Sequence, residues 1–465
     1  MKDKGSENIF ETDWLASKPV FYNTQTNKVS HNINDVVDLR NLDFHPEGLY
    51  NYFEFGYSVF GQTPIKNVKF LRYSSSLEKG GNGSIRIEYH QDPVDQWADK
   101  CSDKDELIGK LEKTILDWER AVDGEIVIPT SGGYDSRLLN LLVSDKNRIR
   151  SFTYGVSENQ LNSMEIVKAE KISEILGTRW EPILLGQYHR YFREWGAIFG
   201  SSTHAHGMYH IEFYKKVLKR VYGNNPFLSG IFGDVWAGST DYISLNMPRD
   251  LRYLGYSHGL CADASQLMLK TDHDIRDSFW EDHREKLNDY FYQVIFLIRL
   301  KIILISYLIR VPQDMFGFKA WSPFLEQDIA LSMLTLPSEW RKQRKWQRNL
   351  FRDNGLDLES MSLRFNKQNN LNYQAMRQVP LKPLDMDLLS EVVRPRYIEW
   401  INSKIKKQSP LKYKISNFRR SSKINAVLNR LRIKEERLNA YYAYLTLKPI
   451  EELLIKRNLS SKLDC

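Results

Sequence analysis

The segment Ser131-Gly132-Gly133-Tyr134-Asp135-Ser136 combines the residue types that a phosphate site needs. It follows an apolar run, Glu125–Thr130, and enters a helical pattern that begins near Tyr134. The first turn of a helix leaves backbone N–H groups unpaired and favours an anion, and glycines let that backbone approach a phosphate closely. The two serines add hydroxyl donors, and the aspartate suits such a site when it holds a Mg²⁺ ion that bridges phosphate oxygens. We therefore predict a nucleotide-phosphate site here; the alternative is an ordinary strand–helix turn.

Strands and helices alternate around this segment. A helical pattern covers Glu106–Val122, and the later runs RIRSFTYG, TRWEPILL and NPFLSGI are typical of strands, with a helix, MEIVKAEKISEILG, between the first two. Elements that alternate at this length indicate an α/β fold with a parallel sheet and right-handed crossovers. Short strands and turns, such as PVFYN, TQTNK and SIRIEY, are expected before Asp105, and mainly helices after Asp272.

The chain has 465 residues, of which 42% are hydrophobic and 12% aromatic, and this composition excludes a disordered or fibrous protein. At about 150 residues per domain, the length allows roughly two or three domains. Cys101, Cys261 and Cys465 are too few and too far apart for a disulfide framework or a conventional zinc site, which favours a reducing compartment. The N-terminus lacks the apolar stretch of a signal peptide, so we expect a cytoplasmic location.

The most apolar segment, Val294–Val311, approaches the length of a membrane span. Arg299 and Lys301 lie in its middle, and a charge at bilayer depth costs roughly 2.5–3.5 kcal/mol even on lenient scales. We therefore predict a buried core helix rather than a span. The net charge of +8 is concentrated at the C-terminus: from Glu391 onward 18 Lys and Arg oppose 7 Asp and Glu, so the first 390 residues carry −3.

The SGGYDS segment resembles the SGGxDS pyrophosphate loop (PP-loop) of the N-type ATP pyrophosphatases, which cleave ATP between the α- and β-phosphates. The resemblance implies a HUP-like parallel sheet, a loop that binds ATP, and Asp135 as a Mg²⁺ ligand. The residues assigned to the nucleotide are Ser131, Gly132, Gly133, Asp135, Ser136, Phe152, Thr153, Tyr154 and Gly230. Of these, Phe152–Tyr154 would present backbone groups to adenine. No GxxxxGK[ST] Walker loop occurs, so transfer of the γ-phosphate is the poorer hypothesis.

Downstream segments resemble asparagine synthetases in particular. Leu228-Ser229-Gly230-Ile231-Phe232-Gly233-Asp234 is similar to their SGEGxDE segment, and Asp234 matches the second Mg²⁺ aspartate. Ser322–Glu326 is similar to their PFLD segment, and QRNLFRDNGL and RFNKQNN are similar to KxxLR and RxK. The candidate cations for pyrophosphate in these last two segments are Arg348, Arg352 and Lys367. The alternative for each cation is an ordinary solvated charge.

The resemblance divides the chain into a short degenerate glutaminase-like N-terminal domain rich in β-strands (1–105), an asparagine synthetase-like ATP pyrophosphatase domain (106–375) and a basic helical C-terminal region (376–465). Tyr50–Leu71 is similar to the end of the family's glutaminase domain. Position 2 is Lys2 instead of that domain's nucleophilic cysteine, so we do not expect release of ammonia from glutamine. The nitrogen would arrive as free ammonia, from a separate glutaminase or as a substrate amine.

Ile231 stands where the family has the glutamate associated with amination, and an isoleucine neither accepts a proton nor orients an amine. This difference argues against asparagine as the product. Our hypothesis for the replacement catalytic base is His206. It belongs to the trio His204, His206 and His210, for which packing, a substrate pocket and a zinc site are the alternatives; a zinc site lacks a fourth ligand in the sequence.

We therefore expect an ATP-dependent amide ligase that activates a carboxylate as an acyl-adenylate, transfers it to ammonia or an amine, and uses Mg²⁺. The preferred substrate is a uronic acid, as a sugar acid or nucleotide sugar, because the chain resembles surface-polysaccharide amidotransferases that lack the cysteine. The alternatives are an intramolecular cyclase of the β-lactam synthetase or lasso-cyclase type, a tRNA-modifying enzyme and an inactive scaffold. Nucleic acid is not an expected partner. The basic C-terminus either contacts a membrane surface or a phosphate-bearing substrate, or is a solvated helical face.

Overall fold

The computed structural model describes residues 9–81, 83–407 and 436–463. The strands, in chain order, are β1 (Ile9–Thr12), β2 (Phe21–Asn23), β3 (Val29–Ser30), β4 (Val68–Phe70), β5 (Ser75–Lys79), β6 (Ile85–Tyr89), β7 (Ile126–Pro129), β8 (Ile149–Thr153), β9 (Arg179–Pro182), β10 (Pro226–Leu228) and β11 (Lys319–Trp321). The α-helices are α1 (Ile33–Val36), α2 (Pro46–Phe55), α3 (Lys104–Ala121), α4 (Tyr134–Leu142), α5 (Met164–Leu176), α6 (Phe192–Phe199), α7 (Met208–Val217), α8 (Leu251–Leu254), α9 (Asp274–Leu287), α10 (Tyr290–Ile305), α11 (Tyr307–Arg310), α12 (Gln327–Leu334), α13 (Ser338–Arg341), α14 (Lys345–Asp353), α15 (Leu371–Gln378), α16 (Met386–Leu389), α17 (Pro395–Ile405) and α18 (Glu436–Leu463).

A five-stranded parallel sheet forms the centre of the fold. Its order is β11-β10-β7-β8-β9, and every neighbouring pair is parallel. Numbered along the chain, this is the 3-2-1-4-5 arrangement of doubly wound sheets, in which the order reverses between the first strand, β7, and the fourth, β10. Ligands bind such sheets at the carboxyl ends of the strands beside this reversal. The predicted α/β class with a parallel sheet is confirmed.

The sequence pattern explains how β7 and the helix that precedes it, α3, form. Ile126, Val127 and Ile128 of β7 are each at most 1% exposed, as expected for a strand that is covered on both faces. Helix α3 begins after Asp103, whose carboxylate accepts hydrogen bonds from first-turn N–H groups, and it buries its apolar stripe. The strands and helices predicted between Glu106 and β10 are confirmed, with shifted ends.

Two three-stranded antiparallel sheets, β3-β2-β4 and β1-β5-β6, belong to the N-terminal part. The runs PVFYN and SIRIEY form β2 and β6, as predicted, and the region of short strands and turns also contains a helix that was not predicted, α2, between β3 and β4 in the chain. Pro46 occupies the first turn of α2, the His45 side chain caps it, and Gly56 ends it in the left-handed conformation at φ +83°. The helix forms because its apolar side chains, three and four residues apart, are buried in the core.

The apolar segment Val294–Val311 forms most of α10 and all of α11, and the prediction of a buried core helix is confirmed. The charge of Arg299 has specific partners inside the protein. Its guanidinium donates to both carboxylate oxygens of Asp92 (2.6 and 2.8 Å) and lies 3.3 Å from the centre of the Tyr73 ring. Among the described residues, no helix has both the length and the apolar character that a membrane crossing requires.

The region after Asp272 is mainly helical, as predicted, except for β11, which pairs with β10 at the edge of the central sheet. A strand of three residues was too short to give a periodic signal in the sequence. One hydrophobic cluster extends from Trp14 in the N-terminal part to Leu454 in α18. Residues 408–435, which carry much of the basic C-terminal charge, lie outside the described residues. The three domain boundaries stay a prediction.

Candidate active site

Two loops meet where the strand order reverses. We refer to residues 131–136, after β7, as the first loop and to residues 229–234, after β10, as the second loop; β7 and β10 are neighbours in the sheet. The loops are in contact, because a Cβ atom placed on Gly233 would lie 2.8 Å from Cγ of Asp135, and one placed on Gly230 would lie 3.1 Å from its Cβ. The second loop therefore needs a residue without a side chain where it passes Asp135.

The first loop turns into α4 and leaves that end of the helix open. The backbone N–H of Ser131 donates to Oγ of Ser136 (3.2 Å), and no side chain caps the first turn of α4. Gly132 adopts φ +71°, and a Cβ atom there would lie 2.3 Å from Cβ of Lys168, so this position requires glycine. The N–H of Gly133 donates to the Ser131 hydroxyl (3.3 Å). The resulting corner can receive an anion at the helix N-terminus.

Asp135 lies at the contact between the two loops. Its side chain is 18% exposed, and its Oδ1 atom is buried without a hydrogen-bond partner among the described residues. Burial, and then the nearby carboxylate of Asp234, raise the pKa of Asp135 well above its usual range, whereas the guanidinium of Arg344, 4.0 Å from Oδ1, opposes the rise. The buried amide of Gln347 lies beside the same carboxyl group and also lacks a partner within the described chain. A cation bound between the two aspartates would remove this electrostatic penalty.

The donor set fits Mg²⁺. This ion is usually held by one or two carboxylates, while substrate phosphates and water complete its octahedral shell. Asp135 supplies a buried oxygen that has no hydrogen-bond partner among the described residues. Asp234 supplies a second carboxylate nearby; it is exposed and lies just before the π-helical turn Val235–Ser239. In the part of the chain that the structure describes, no three His, Cys, Asp or Glu side chains surround a metal position. The pair of aspartates therefore suits a metal that arrives with a phosphate-bearing ligand.

Arg344 is a site residue that the sequence reasoning missed. Its guanidinium carbon lies 4.4 Å from the centre of the Tyr134 ring, and its backbone is left-handed at φ +54°. This conformation costs an L-residue roughly 1–2 kcal/mol, and such strain concentrates at functional sites. No motif marked this residue, and its approach to Asp135 depends on a turn that the sequence pattern does not reveal.

Lys301 is a second cation that was missed. It belongs to α10. Burial lowers the pKa of its ammonium group to about 8, although the negative charge of Asp234 acts to raise this pKa. The signal in the sequence was a lysine inside an otherwise apolar helix. The electrostatic influence of Asp234 on this lysine became visible only in the folded chain.

The predicted cations lie at different places. Arg348 on α14 is exposed near Tyr134; burial raises the pKa of that phenol, and the Arg348 charge opposes the rise. Arg352 is exposed and lies 3.5 Å from its neighbour Asp353. Lys367 is exposed, and the residue before it pairs with the chain just ahead of α5. The charge of Arg348 therefore acts on Tyr134 in the first loop, whereas no recorded interaction of Arg352 or Lys367 within the described residues involves that loop.

A buried arginine supports the first loop from behind. Arg137 has no exposed side-chain surface, and it donates to the carbonyl of Gly132 (3.1 Å) and to both carboxylate oxygens of Glu359 (2.8 and 3.0 Å). Lys168 donates to the same carboxylate (2.9 Å). Burial tends to raise the pKa of Glu359, but the hydrogen bonds and charges of Arg137 and Lys168 outweigh it and lower this pKa to about 2. The network ties the start of α4 to the segment that follows α14.

Glu359→Gln tests this network through the pH dependence of stability. A carboxylate whose pKa is lowered by folding stabilises the protein fully above its unfolded value, near 4.5, and that contribution is lost as the pH falls toward about 2. The free energy of unfolding of the wild type should therefore exceed that of the variant at neutral pH, and the difference should shrink steadily as the pH falls from about 4.5 toward 2, as measured by urea denaturation. Glu339→Gln, at an exposed position without an ion pair among the described residues, is the matched control. A difference between wild type and Glu359→Gln that stays constant with pH would contradict the prediction.

The residues predicted to face adenine lie where β8 ends. The carbonyl of Phe152 accepts a hydrogen bond from the N–H of Thr130 (2.9 Å), and the carbonyl of Thr153 accepts one from the N–H of Ile183 (2.7 Å). Both carbonyls are thus engaged in the sheet. Tyr154 lies beyond the ladder, so its backbone is better placed than theirs to meet a ligand at this edge.

The three histidines lie in a buried aromatic cluster. The ring centre of His206 is 5.4 Å from that of Tyr209. Burial lowers the pKa of His206 to about 4 and those of His204 and His210 to about 3, so all three are neutral at physiological pH. No hydrogen bond, ion pair or ring contact among the described residues joins His206 to the second loop. Its role as the replacement base stays a prediction.

Ile231 lines a separate cavity of about 160 Å³. Side chains of the N-terminal part, Ser17 and His31, line the same cavity, as does Arg310 of α11. Ile231 is 5% exposed, and the next residue, Phe232, has a left-handed backbone at φ +65°, which is rare for a bulky residue. Position 231 of the second loop therefore borders the N-terminal part of this chain.

A comparison of the chain with protein-family models finds no match, and a comparison with curated proteins finds none either. A function for this protein therefore has to be argued from the geometry of the two loops and the residues around them.

Proposed function

We propose that the protein is an ATP-dependent amide ligase of the asparagine synthetase type, built on a HUP-like nucleotide-binding sheet. The observation that carries this proposal is the contact between the first and second loops, which brings Asp135, whose Oδ1 atom has no hydrogen-bond partner among the described residues, near Asp234. The two motifs lie far apart in the sequence. Two accidental motif matches have no reason to meet at the edge of the sheet where doubly wound folds bind ligands.

In the proposed first step, a substrate carboxylate oxygen attacks the α-phosphorus of ATP. The new P–O bond gives an acyl-adenylate, and the bond to the β-phosphate breaks to release pyrophosphate. The open N–H groups of α4 and the hydroxyls of Ser131 and Ser136 would hold that leaving group, and Arg344 and Lys301 would offset its charge. Mg²⁺ bound by Asp135 and Asp234 would withdraw charge from the phosphate oxygens.

In the proposed second step, ammonia or an amine attacks the acyl carbon, which forms the amide and releases AMP. Ile231 offers no proton acceptor, so the second loop itself supplies no general base at that position. A uronic acid, free or as part of a nucleotide sugar, is the carboxylate that we propose, with a separate glutaminase or free ammonia as the nitrogen source.

Exchange of labelled pyrophosphate into ATP tests the first step. The protein is incubated with Mg²⁺, ATP, labelled pyrophosphate and one carboxylate at a time, beginning with glucuronate. We expect label in ATP only with an accepted carboxylate, and accumulation of AMP when an amine is added. Accumulation of ADP would contradict the proposal, and tRNA binding with a steep dependence on salt would favour the tRNA-modifying alternative.

A further inference from the structure

A second cleft, distinct from the two loops, lies between the N-terminal sheets and helices α9 and α10. Its volume is about 380 Å³, within the range of roughly 300–1,000 Å³ that small-molecule sites occupy. Aromatic rings form much of its wall: Phe60, Phe70, Tyr73, Tyr89, Phe279 and Phe296. Phe60, at its rim, has a left-handed backbone at φ +57° and packs 4.9 Å from Phe279, ring centre to ring centre. We refer to this feature as the N-terminal cleft.

The strand register places three polar side chains in one row along the N-terminal cleft. Lys69 of β4 lies directly opposite Tyr22 of β2 on one side and opposite Gln62 on the other. Residues directly opposite each other in an antiparallel pair point to the same face, and all three line the cleft. Among the described residues, the Tyr22 hydroxyl, the Gln62 amide and the Lys69 ammonium have no hydrogen-bond or ion-pair partner. The cleft therefore presents donors and acceptors that its own walls leave unused.

The charges of the cleft favour a monoanion. Arg299 is neutralised by Asp92 and is part of the wall. Lys69 and Arg72 form no ion pair among the described residues, and the guanidinium of the exposed Arg72 lies 4.2 Å from the centre of the Tyr89 ring. Asp282 is the acid on the opposite wall, next to His283, and it also has no cation partner in the described chain. Lys69 and Arg72 contribute two positive charges and Asp282 contributes one negative charge, so the unpaired charges of the cleft sum to about +1.

We propose that the N-terminal cleft binds a carboxylated sugar. The carboxylate would pair with Arg72 and Lys69, the hydroxyls would bond to Tyr22, Gln62 and Asp282, and the apolar face of the ring would stack on the aromatic wall. A neutral sugar leaves both cations unpaired, and an aryl carboxylate leaves the hydroxyl partners unsatisfied. This site is separate from the nucleotide site, and the inference does not depend on the proposed ligase activity.

Calorimetric titration of the full chain with glucuronate, glucose and benzoate tests this inference. Glucuronate should bind with a millimolar dissociation constant, and glucose and benzoate should each bind at least about tenfold more weakly. Lys69→Met and Arg72→Met should each weaken glucuronate binding about tenfold or more. Lys66→Met is the matched control, because Lys66 is in the turn that precedes β4, pairs with Asp43 and does not line the cleft; it should change the affinity by less than about twofold.

Asp135→Asn separates this site from the proposed catalytic site. Glucuronate binding should persist in that variant, even when pyrophosphate exchange is lost. The inference is overturned if glucuronate does not bind at about 50 mM, if benzoate binds as tightly, or if Lys69→Met and Lys66→Met have equal effects. Lys69 is half-buried, and its substitution could affect folding. Arg72 is exposed, so Arg72→Met tests the same inference without that risk.

Discussion

Asp135→Asn should reduce the Mg²⁺-dependent affinity for ATP and the rate of pyrophosphate exchange by about 10²–10³-fold. The amide is nearly the same size but brings no negative charge to the metal, and its nitrogen is not a ligand that Mg²⁺ prefers. The metal-free variant should be at least as stable as the wild type, because burial and the charge of Asp234 disfavour the Asp135 carboxylate more than Arg344 favours it, and its Oδ1 atom has no hydrogen-bond partner among the described residues. Calorimetric titration with MgATP measures the first effect without knowledge of the carboxylate substrate, and urea denaturation measures the second.

The combination of lost binding and retained stability distinguishes a ligand site from a structural residue. Asp117→Asn makes the same chemical change on the exposed face of α3 and should leave both measurements unaltered. Unchanged MgATP affinity in Asp135→Asn would contradict the assignment of the first loop. A large loss of stability would instead assign Asp135 to the scaffold.

Arg137→Met should destabilise the protein by about 3 kcal/mol at neutral pH. The guanidinium is fully buried, and its loss removes hydrogen bonds to the carbonyls of Gly132 and Leu356 and leaves Glu359 with Lys168 as its remaining partner. Methionine fills part of the volume but satisfies none of these groups. Urea denaturation gives the free energy of unfolding, and MgATP titration shows whether the first loop keeps its shape.

Arg120→Met is the matched control for Arg137→Met, because Arg120 is exposed in the last turn of α3. It should change the free energy of unfolding by no more than about 0.5 kcal/mol. A loss of less than about 1 kcal/mol in Arg137→Met would show that the ion-pair network contributes little to the fold.

The central sheet was largely predictable because its elements have strong local signals. β7 is a continuous apolar run, α3 has a regular apolar stripe and a capping aspartate, and each strand up to β10 ends near a glycine or the start of a helix. Two of the elements that were missed illustrate opposite reasons. α2 is a helix inside a region rich in strands and turns, and β11 has three residues and joins the sheet only because β10 offers it an open edge.

The candidate site was predictable only where its residues belong to one local motif. The glycines and acids of the first and second loops were named from the sequence, and Gly132 and Gly233 have the tight surroundings that such turns require. Arg344 and Lys301 were not named, because Arg344 approaches Asp135, and the charge of Lys301 interacts with that of Asp234, from distant elements. The charge of Arg348 acts on Tyr134 of the first loop, and the roles of Arg348 and Lys367 toward pyrophosphate stay predictions.

The sequence by itself determined where the glycine-rich corner before α4 forms, because turn geometry, helix starts and strand burial depend on residues a few positions apart. The tertiary structure alone decided which distant side chains surround that corner, and it also set the row of Tyr22, Lys69 and Gln62 in the N-terminal cleft. Such contacts depend on strand order and register, which follow from the packing of the whole core and leave no trace in any short stretch of the chain.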